Sequence, residues 1–213
     1  MKNDFKYTSN NNRSQVLEFL KENNFSRVLD VGYSANNWSS EYTTHYMDIN
    51  ESDLSKKWFE GDINVPYIWE NVQKEVDKNG KFDFCICTHT LEDIINPHYV
   101  CCMMEKYSKA GFIATPSKYV EMSRHVDMGY PYRGYIHHRY IFNKENNEYV
   151  AYPKLSFVEQ DNRFDRLSSD LQENNAEIQF FWEDKINLII KNNNYMGPTV
   201  DHVLRYYNDL LQN

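Results

Sequence analysis

The sequence predicts an α/β protein built on a doubly wound, mostly parallel seven-stranded sheet that ends in an antiparallel hairpin. Three observations predict it. Five short apolar runs alternate with amphipathic stretches before residue 116, the spacing of strands joined by crossover helices. The runs end on acids, glycines or small polar residues, so polar chemistry collects at one edge of the sheet. Two later apolar runs, 178–182 and 185–190, are separated only by Glu183-Asp184, which reads as the hairpin.

Along the chain, residues 1–12 are polar and Asn-rich and are expected to form a disordered tail. Asn12 and Gln15 have capping-box spacing ahead of Val16, Phe19 and Leu20, which share one helical face. The first strand, 27–32, ends in Asp30-Val31-Gly32, and the glycine lets backbone approach a ligand closely. Strand 45–49 carries Asp48 near its end, sixteen positions after Gly32, close to where nucleoside-binding sheets place a carboxylate for ribose hydroxyls. Strand 58–63 ends in Gly61-Asp62. Pro66 then opens a helix in which Trp69, Val72 and Val76 share a face. Strand 82–87 leaves Thr88-His89 at its end, Asn96 and Pro97 suit the cap and first residue of the next helix, and 110–115 is the fifth strand. From 118 to about 155 periodicity fades and Tyr, His, Arg and Gly dominate, as in a functional loop. Residues 198–213 carry Val203, Leu204, Tyr207, Leu210 and Leu211 at helical spacing, a face for the core or for a partner subunit in a homodimer.

Composition narrows the function classes. With 213 residues, 15% of them aromatic, the chain can bury a sizeable core as one domain. No apolar run reaches membrane-spanning length and the amino terminus lacks a signal-peptide core, so a cytoplasmic protein without a membrane partner is expected. A net charge of −8 argues against nucleic acid as a partner. Cys85, Cys87, Cys101 and Cys102 lack zinc-site spacing and read as buried thiols.

Together, Asp-x-Gly on the first strand, the acid on the second, Gly-Asp on the third and Phe82-Asp83 through His89, Leu91 and Glu92 on the fourth resemble the class I S-adenosylmethionine-dependent methyltransferases, in particular their small-molecule branch. The resemblance spans roughly residues 14–190. It implies a Rossmann-like domain over 13–197 with an acceptor-site cap at about 117–160, and S-adenosylmethionine as cofactor. It further implies that Asp30, Gly32 and Ser34 shape the loop under the methionine moiety and that Asp48 binds the ribose hydroxyls. Asp62 and Ile63 would then meet the adenine, and Thr88 and His89 would line the transfer site. The family usually has two or three glycines in its first loop; here Gly32 is followed by Ser34 and Asn36.

The cap carries the rest of the expected site. Arg124, His125, Arg133, Tyr135 and Arg139 are the candidate acceptor-binding residues, and arginine forks point to a small anionic acceptor such as a nucleotide-linked sugar, a phosphate ester or a carboxylate. His89, His137 and His138 are the candidate proton acceptors for an in-line methyl displacement. A metal held by His125, His137 and His138 is not expected, because adjacent histidines in an extended strand point to opposite faces. Two other functions fit the same residues: a catalytically silent methyltransferase-like binding module, and an RNA- or DNA-modifying methyltransferase. Glu92 and Asp93 read as acids that favour the following helix start.

Overall fold

The computed structural model describes residues 4–50, 53–191 and 200–212. The parallel strands fall where the apolar runs place them. These are β2 (Val28–Val31), β3 (His45–Asp48), β4 (Lys57–Glu60), β5 (Phe84–Thr88) and β6 (Ala110–Pro116), joined in part by helices α2 (Pro66–Asn79) and α3 (Pro97–Tyr107). Pro66 and Pro97 each begin a helix, where a missing N–H costs nothing, and Asn96 Oδ1 accepts from Tyr99 N at 3.0 Å as the cap of α3. Helix α1 (Ser14–Asn23) starts two residues after Asn12, whose Oδ1 accepts from Ser14 N and Ser14 Oγ.

Strand alternation divides the core. Phe84 and Ile86 point to the face covered by Val16 and Leu20 of α1, while Cys85 and Cys87 point to the face covered by Trp69, Val72, Val100 and Met104 of α2 and α3. The thiols of Cys85, Cys87 and Cys101 are buried as expected, which pushes each up, whereas Cys102 is half-buried.

Three expectations are corrected. Residues 6–8, placed in a disordered tail, form strand β1 (Lys6–Thr8), which pairs antiparallel with β9 (Glu177–Glu183); residues 1–3 lie outside the described residues. The sheet order is β1-β9-β6-β5-β2-β3-β4, with β9 antiparallel to both neighbours, so the amino-terminal strand occupies the edge that the second half of the expected hairpin was to fill. Residues 185–190 do not fold back along β9. Asp184 takes φ +62° and Lys185 N bonds to Glu183 O, a tight turn that sends Ile186 and Leu188 into the core. Strand β10 (Leu188–Ile190) then pairs parallel with β8 (Glu148–Pro153) in a separate three-stranded sheet, whose antiparallel hairpin is β8 with β7 (Tyr140–Glu145).

That hairpin lies within the stretch expected to be irregular. Asn146 and Asn147 form its turn with φ of +47° and +64°, a conformation that Asn tolerates better than other side chains. The small sheet has two apolar faces. Phe142, Tyr149 and Ala151 join the main core, while Ile141, Val150 and Tyr152 pack with Met122, Val158, Phe164 and Leu167 in a second core beneath the cap. The expected final helix is two short ones, α6 (Val200–Tyr206) and α7 (Asn208–Gln212), and Gly197 and Pro198 lie outside the described residues. Tyr207 and Leu210 are fully buried in the second core, so the carboxyl-terminal apolar stripe is largely covered within its own chain.

Candidate active site

The chain reverses direction across the sheet between β2 and β5, and in open α/β sheets ligands bind outside the carboxyl ends of the strands at such a switch point. Gly32 leaves β2 with φ +81°, and a Cβ there would stand 2.1 Å from Thr90 Oγ1, so only glycine lets the two strand ends meet. Asn36 takes φ +60°, a left-handed turn that Asn adopts more readily than other side chains except glycine. No helix follows: turns fill the chain from 33 to 44, and Asp30 ties them down from below. Ser39 Oγ donates to Asp30 Oδ2 at 2.5 Å and Thr43 Oγ1 donates at 3.5 Å. Burial lifts the Asp30 carboxyl to about 7, against the two hydroxyl bonds. Asp30 therefore shapes the loop without facing the cleft, and Ser34 is exposed above it.

Asp48 is half-exposed at the end of β3. Its Oδ1 accepts from Asn50 N at 2.9 Å, leaving Oδ2 without a partner among the described residues. Asp62 is exposed after β4, with Oδ1 accepting from Asn64 N and Nδ2. The Ile63 side chain, in contrast, is buried in the main core and its carbonyl accepts from Trp69 Nε1 at 2.8 Å, so Asp62 is the exposed member of the pair. Thr88 is half-buried at the end of β5. A left-handed glycine turn, an available carboxylate oxygen for a ribose diol and a second carboxylate beside it fit the methionine, ribose and adenine parts of S-adenosylmethionine.

His89, next in the chain, takes φ +52° and is gripped from two sides. Its Nε2 lies 2.7 Å from Glu177 Oε1 and its Nδ1 lies 3.4 Å from Glu92 Oε1. Burial alone would lower its pKa, but the bonds to Glu177 and Glu92 outweigh it and raise the imidazole to about 9. It is therefore protonated at neutral pH, a fixed cation in place of the expected base. Glu177 in turn takes a bidentate pair from the buried Arg13, at 2.7 and 3.2 Å. Burial opposes its charge, yet the bonds from His89 and Arg13 hold the carboxyl down at about 2. No local signal marked Glu177 or Arg13, since they meet across 164 residues of sequence.

These two shifts fix a pH dependence. Glu177, depressed on folding, contributes stability above its unfolded value of about 4.3 that is lost as pH falls toward 2, and His89, raised on folding, contributes stability below about 6.5 that is lost as pH rises through 9. Thermal unfolding followed from pH 4 to 9 should show the wild type losing stability above about pH 6.5 more steeply than His89→Gln.

Arg124 and Arg133 are spent on structure, whereas Arg139 stays exposed. Arg133, expected to bind acceptor, is fully buried and donates to the carbonyls of Val158, Met122 and Asp161 and to Asp165 Oδ1. Arg124 donates to Pro131 O and Glu159 O, and Arg139 Nε to Asp93 O. His125 is exposed and bonds to Gly129 O. What converges instead is a cavity of about 350 Å³ lined by His89, Asp93, Tyr135, His137, His138 and Glu177, with Val120 and Val126 as apolar wall. Asp93, first read as a helix-start acid, has Oδ1 3.7 Å from His137 Nε2 and 3.5 Å from His138 Nε2. His138 Nδ1 lies 2.7 Å from Glu121 Oε1, whose other oxygen takes Lys154 Nζ at 2.8 Å. Burial would lower the pKa of His138, but Glu121 raises it.

A family model described as a methyltransferase domain matches residues 6–196. No curated protein matches the sequence. Among solved structures, the chain is similar to the N-terminal domain of EvdMO1, determined in the presence of SAH and D-fucose, with 11% identity over 79% of this chain and 81% of that one and a TM-score of 0.41. It is also similar to a S-adenosylmethionine-dependent methyltransferase from Mesorhizobium loti, at 9% identity over 73% and 89% of the two chains and a TM-score of 0.38. MycE from the mycinamycin biosynthetic pathway, in complex with Mg and SAH, shares 16% identity over 50% and 34%, with a TM-score of 0.34. With a methyltransferase-domain match over nearly its whole length, on a switch-point cleft whose residues suit the cofactor, the chain belongs to the class I S-adenosylmethionine-dependent methyltransferases.

Proposed function

We propose that the protein methylates a hydroxyl group of a small, neutral acceptor, such as a sugar, held in the cavity under the cap. One observation carries this reading: the cavity is lined by imidazoles and carboxylates with no arginine among them, while Arg124 and Arg133 donate to main-chain carbonyls. Carboxylates that accept from hydroxyls repel an anion. This reading takes a neutral hydroxyl-bearing acceptor in place of the small anionic one expected from the arginines.

The bound cofactor supplies an electrophilic methyl group on a sulfonium. The chain's part is to bind and orient. Asp48 and Asp62 hold the nucleoside end at the strand edges, Gly32 permits the close turn, and the cavity presents the acceptor oxygen to Asp93, His137 and His138. As the carbon–oxygen bond forms and the carbon–sulfur bond breaks, that cluster lowers the cost of ionising the hydroxyl. His89 stays protonated between Glu177 and Glu92 and contributes a fixed positive charge near the transfer site.

The test is transfer of labelled methyl from S-adenosylmethionine to a panel of neutral sugars, amino sugars, sugar phosphates and carboxylic acids. Label should appear on hydroxyls of the uncharged members. His137→Ala should then lower kcat about 100-fold with donor KM unchanged. Methylation confined to the phosphates and carboxylic acids would contradict the reading.

A further inference from the structure

We propose that Asp93, His137 and His138 form a binding site for one divalent transition-metal ion, open toward the cavity. Among the described residues this is the one group of three ligating side chains whose donor atoms lie within 4.8 Å of one another. Two imidazoles and one carboxylate are a donor set suited to zinc, cobalt, nickel or iron. Ligand atoms about 2.1 Å from a common ion stand about 3–3.5 Å apart. The observed 3.5 and 3.7 Å from Asp93 Oδ1 to the two Nε2 atoms need only a slight contraction.

The expectation that adjacent histidines diverge fails here because the chain from Tyr135 to His138 is a turn, closed by His138 N donating to Tyr135 O, and not an extended strand. Both Nε2 atoms therefore face the same carboxylate oxygen.

Several features mark the cluster as built. Asp93 Oδ1 is out of contact with solvent and makes no hydrogen bond, a costly state for a carboxylate oxygen without a cation. Glu121 is fully buried and can only accept from His138 Nδ1, which fixes the tautomer and aims the Nε2 lone pair into the site, as carboxylates do for metal-bound histidines. The segment around Gly134 lies so close that a Cβ on it would stand 2.5 Å from Glu121 Oε2, and Lys154 clamps the same oxygen. Arg139 ties the two halves together, its N donating to Glu92 O and its Nε to Asp93 O. His137 is 59% exposed on its side chain, so an ion can enter from solvent.

This inference deepens the acceptor-site reading above and says how the cluster ionises the hydroxyl. An acceptor hydroxyl on the open coordination positions becomes more acidic and releases its proton to water at the exposed side; its oxygen then takes the methyl carbon as the carbon–sulfur bond breaks to leave a neutral thioether.

The protein is stripped with chelator, dialysed and titrated with CoCl₂ and separately with ZnCl₂, following visible absorption for cobalt and heat for zinc. One equivalent of each should bind, and His137→Ala and Asp93→Asn should weaken binding at least about tenfold, with Glu121→Gln weakening it by about the same factor through orientation alone. No binding up to about 1 mM, or unchanged affinity in His137→Ala, overturns the site. Titration of the same samples with S-adenosylhomocysteine reports folding of each variant. Metal binding without nucleoside binding leaves the site standing and overturns the methyl-transfer reading, and the reverse result overturns the metal site alone.

Discussion

Glu177→Ala should cost about 3–5 kcal/mol of unfolding free energy, because it strands a charge inside the protein. Arg13 is 5% exposed and both of its terminal nitrogens are bound to Glu177, so the truncation leaves a buried guanidinium with its best partner gone. The same change releases His89 from the shorter of its two carboxylate contacts. It also loosens the junction between the amino terminus and the sheet edge, where Asn11 N bonds Glu177 Oε1 and β1 pairs along β9. Chemical denaturation monitored by far-UV circular dichroism should show the midpoint fall with the slope unchanged. Glu177→Gln, which keeps a hydrogen-bond acceptor, should lie between the wild type and Glu177→Ala.

Arg133→Met is the second large effect, expected at about 2–4 kcal/mol because it leaves buried carbonyls without donors. The guanidinium gathers Met122 O, Val158 O and Asp161 O, which belong to the end of a short helix (Lys118–Met122) and to the turns that follow β8. Lysine cannot replace it, since one ammonium does not reach a planar fork of acceptors. Hydrogen exchange should speed up across 118–170 and stay unchanged across β2, β5 and β6, because the second core under the cap is separate from the main one. Equal exchange across both regions would show that Arg133 supports the whole domain and not the cap.

The parallel sheet was legible because its signals are local. An apolar run of four to seven residues, a polar residue at its end and a proline at the next helix start are each readable without knowing what lies across the fold. Strands β2 to β6 and the placement of Asp48 and Asp62 follow from such signals. The cap hairpin was missed although Asn146-Asn147 marks its turn, because Asn143, Lys144 and Glu145 interrupt apolar alternation; Asn143 and Glu145 are buried and satisfied by one another and by Tyr152. β1 was missed because a three-residue edge strand has almost no pattern of its own and is defined by its partner 170 residues away.

The site divides the same way. Gly32, Asp48 and Asp62 stand where the strand ends put them. Arg133 looked like a ligand-binding residue because an arginine fork pairs bidentately with carboxylate or phosphate, yet its burial is set by turns around residues 158–165 that carry no readable periodicity. Asp93 and Glu121 were hidden for the opposite reason: their chemistry depends on histidines 44 and 17 positions later in the chain. Residue types near a strand end thus indicated that a site exists, and the long-range pairings decided which of them face it.

The most direct test of the account is calorimetric titration of the purified protein and of Asp48→Ala with S-adenosylhomocysteine. The account predicts one molecule bound per chain by the wild type and an affinity about 10–100-fold weaker in Asp48→Ala, the loss expected for hydrogen bonds to a charged group. No binding at about 1 mM, or equal affinity in the two proteins, would contradict the placement of the cofactor at the β2–β5 switch point.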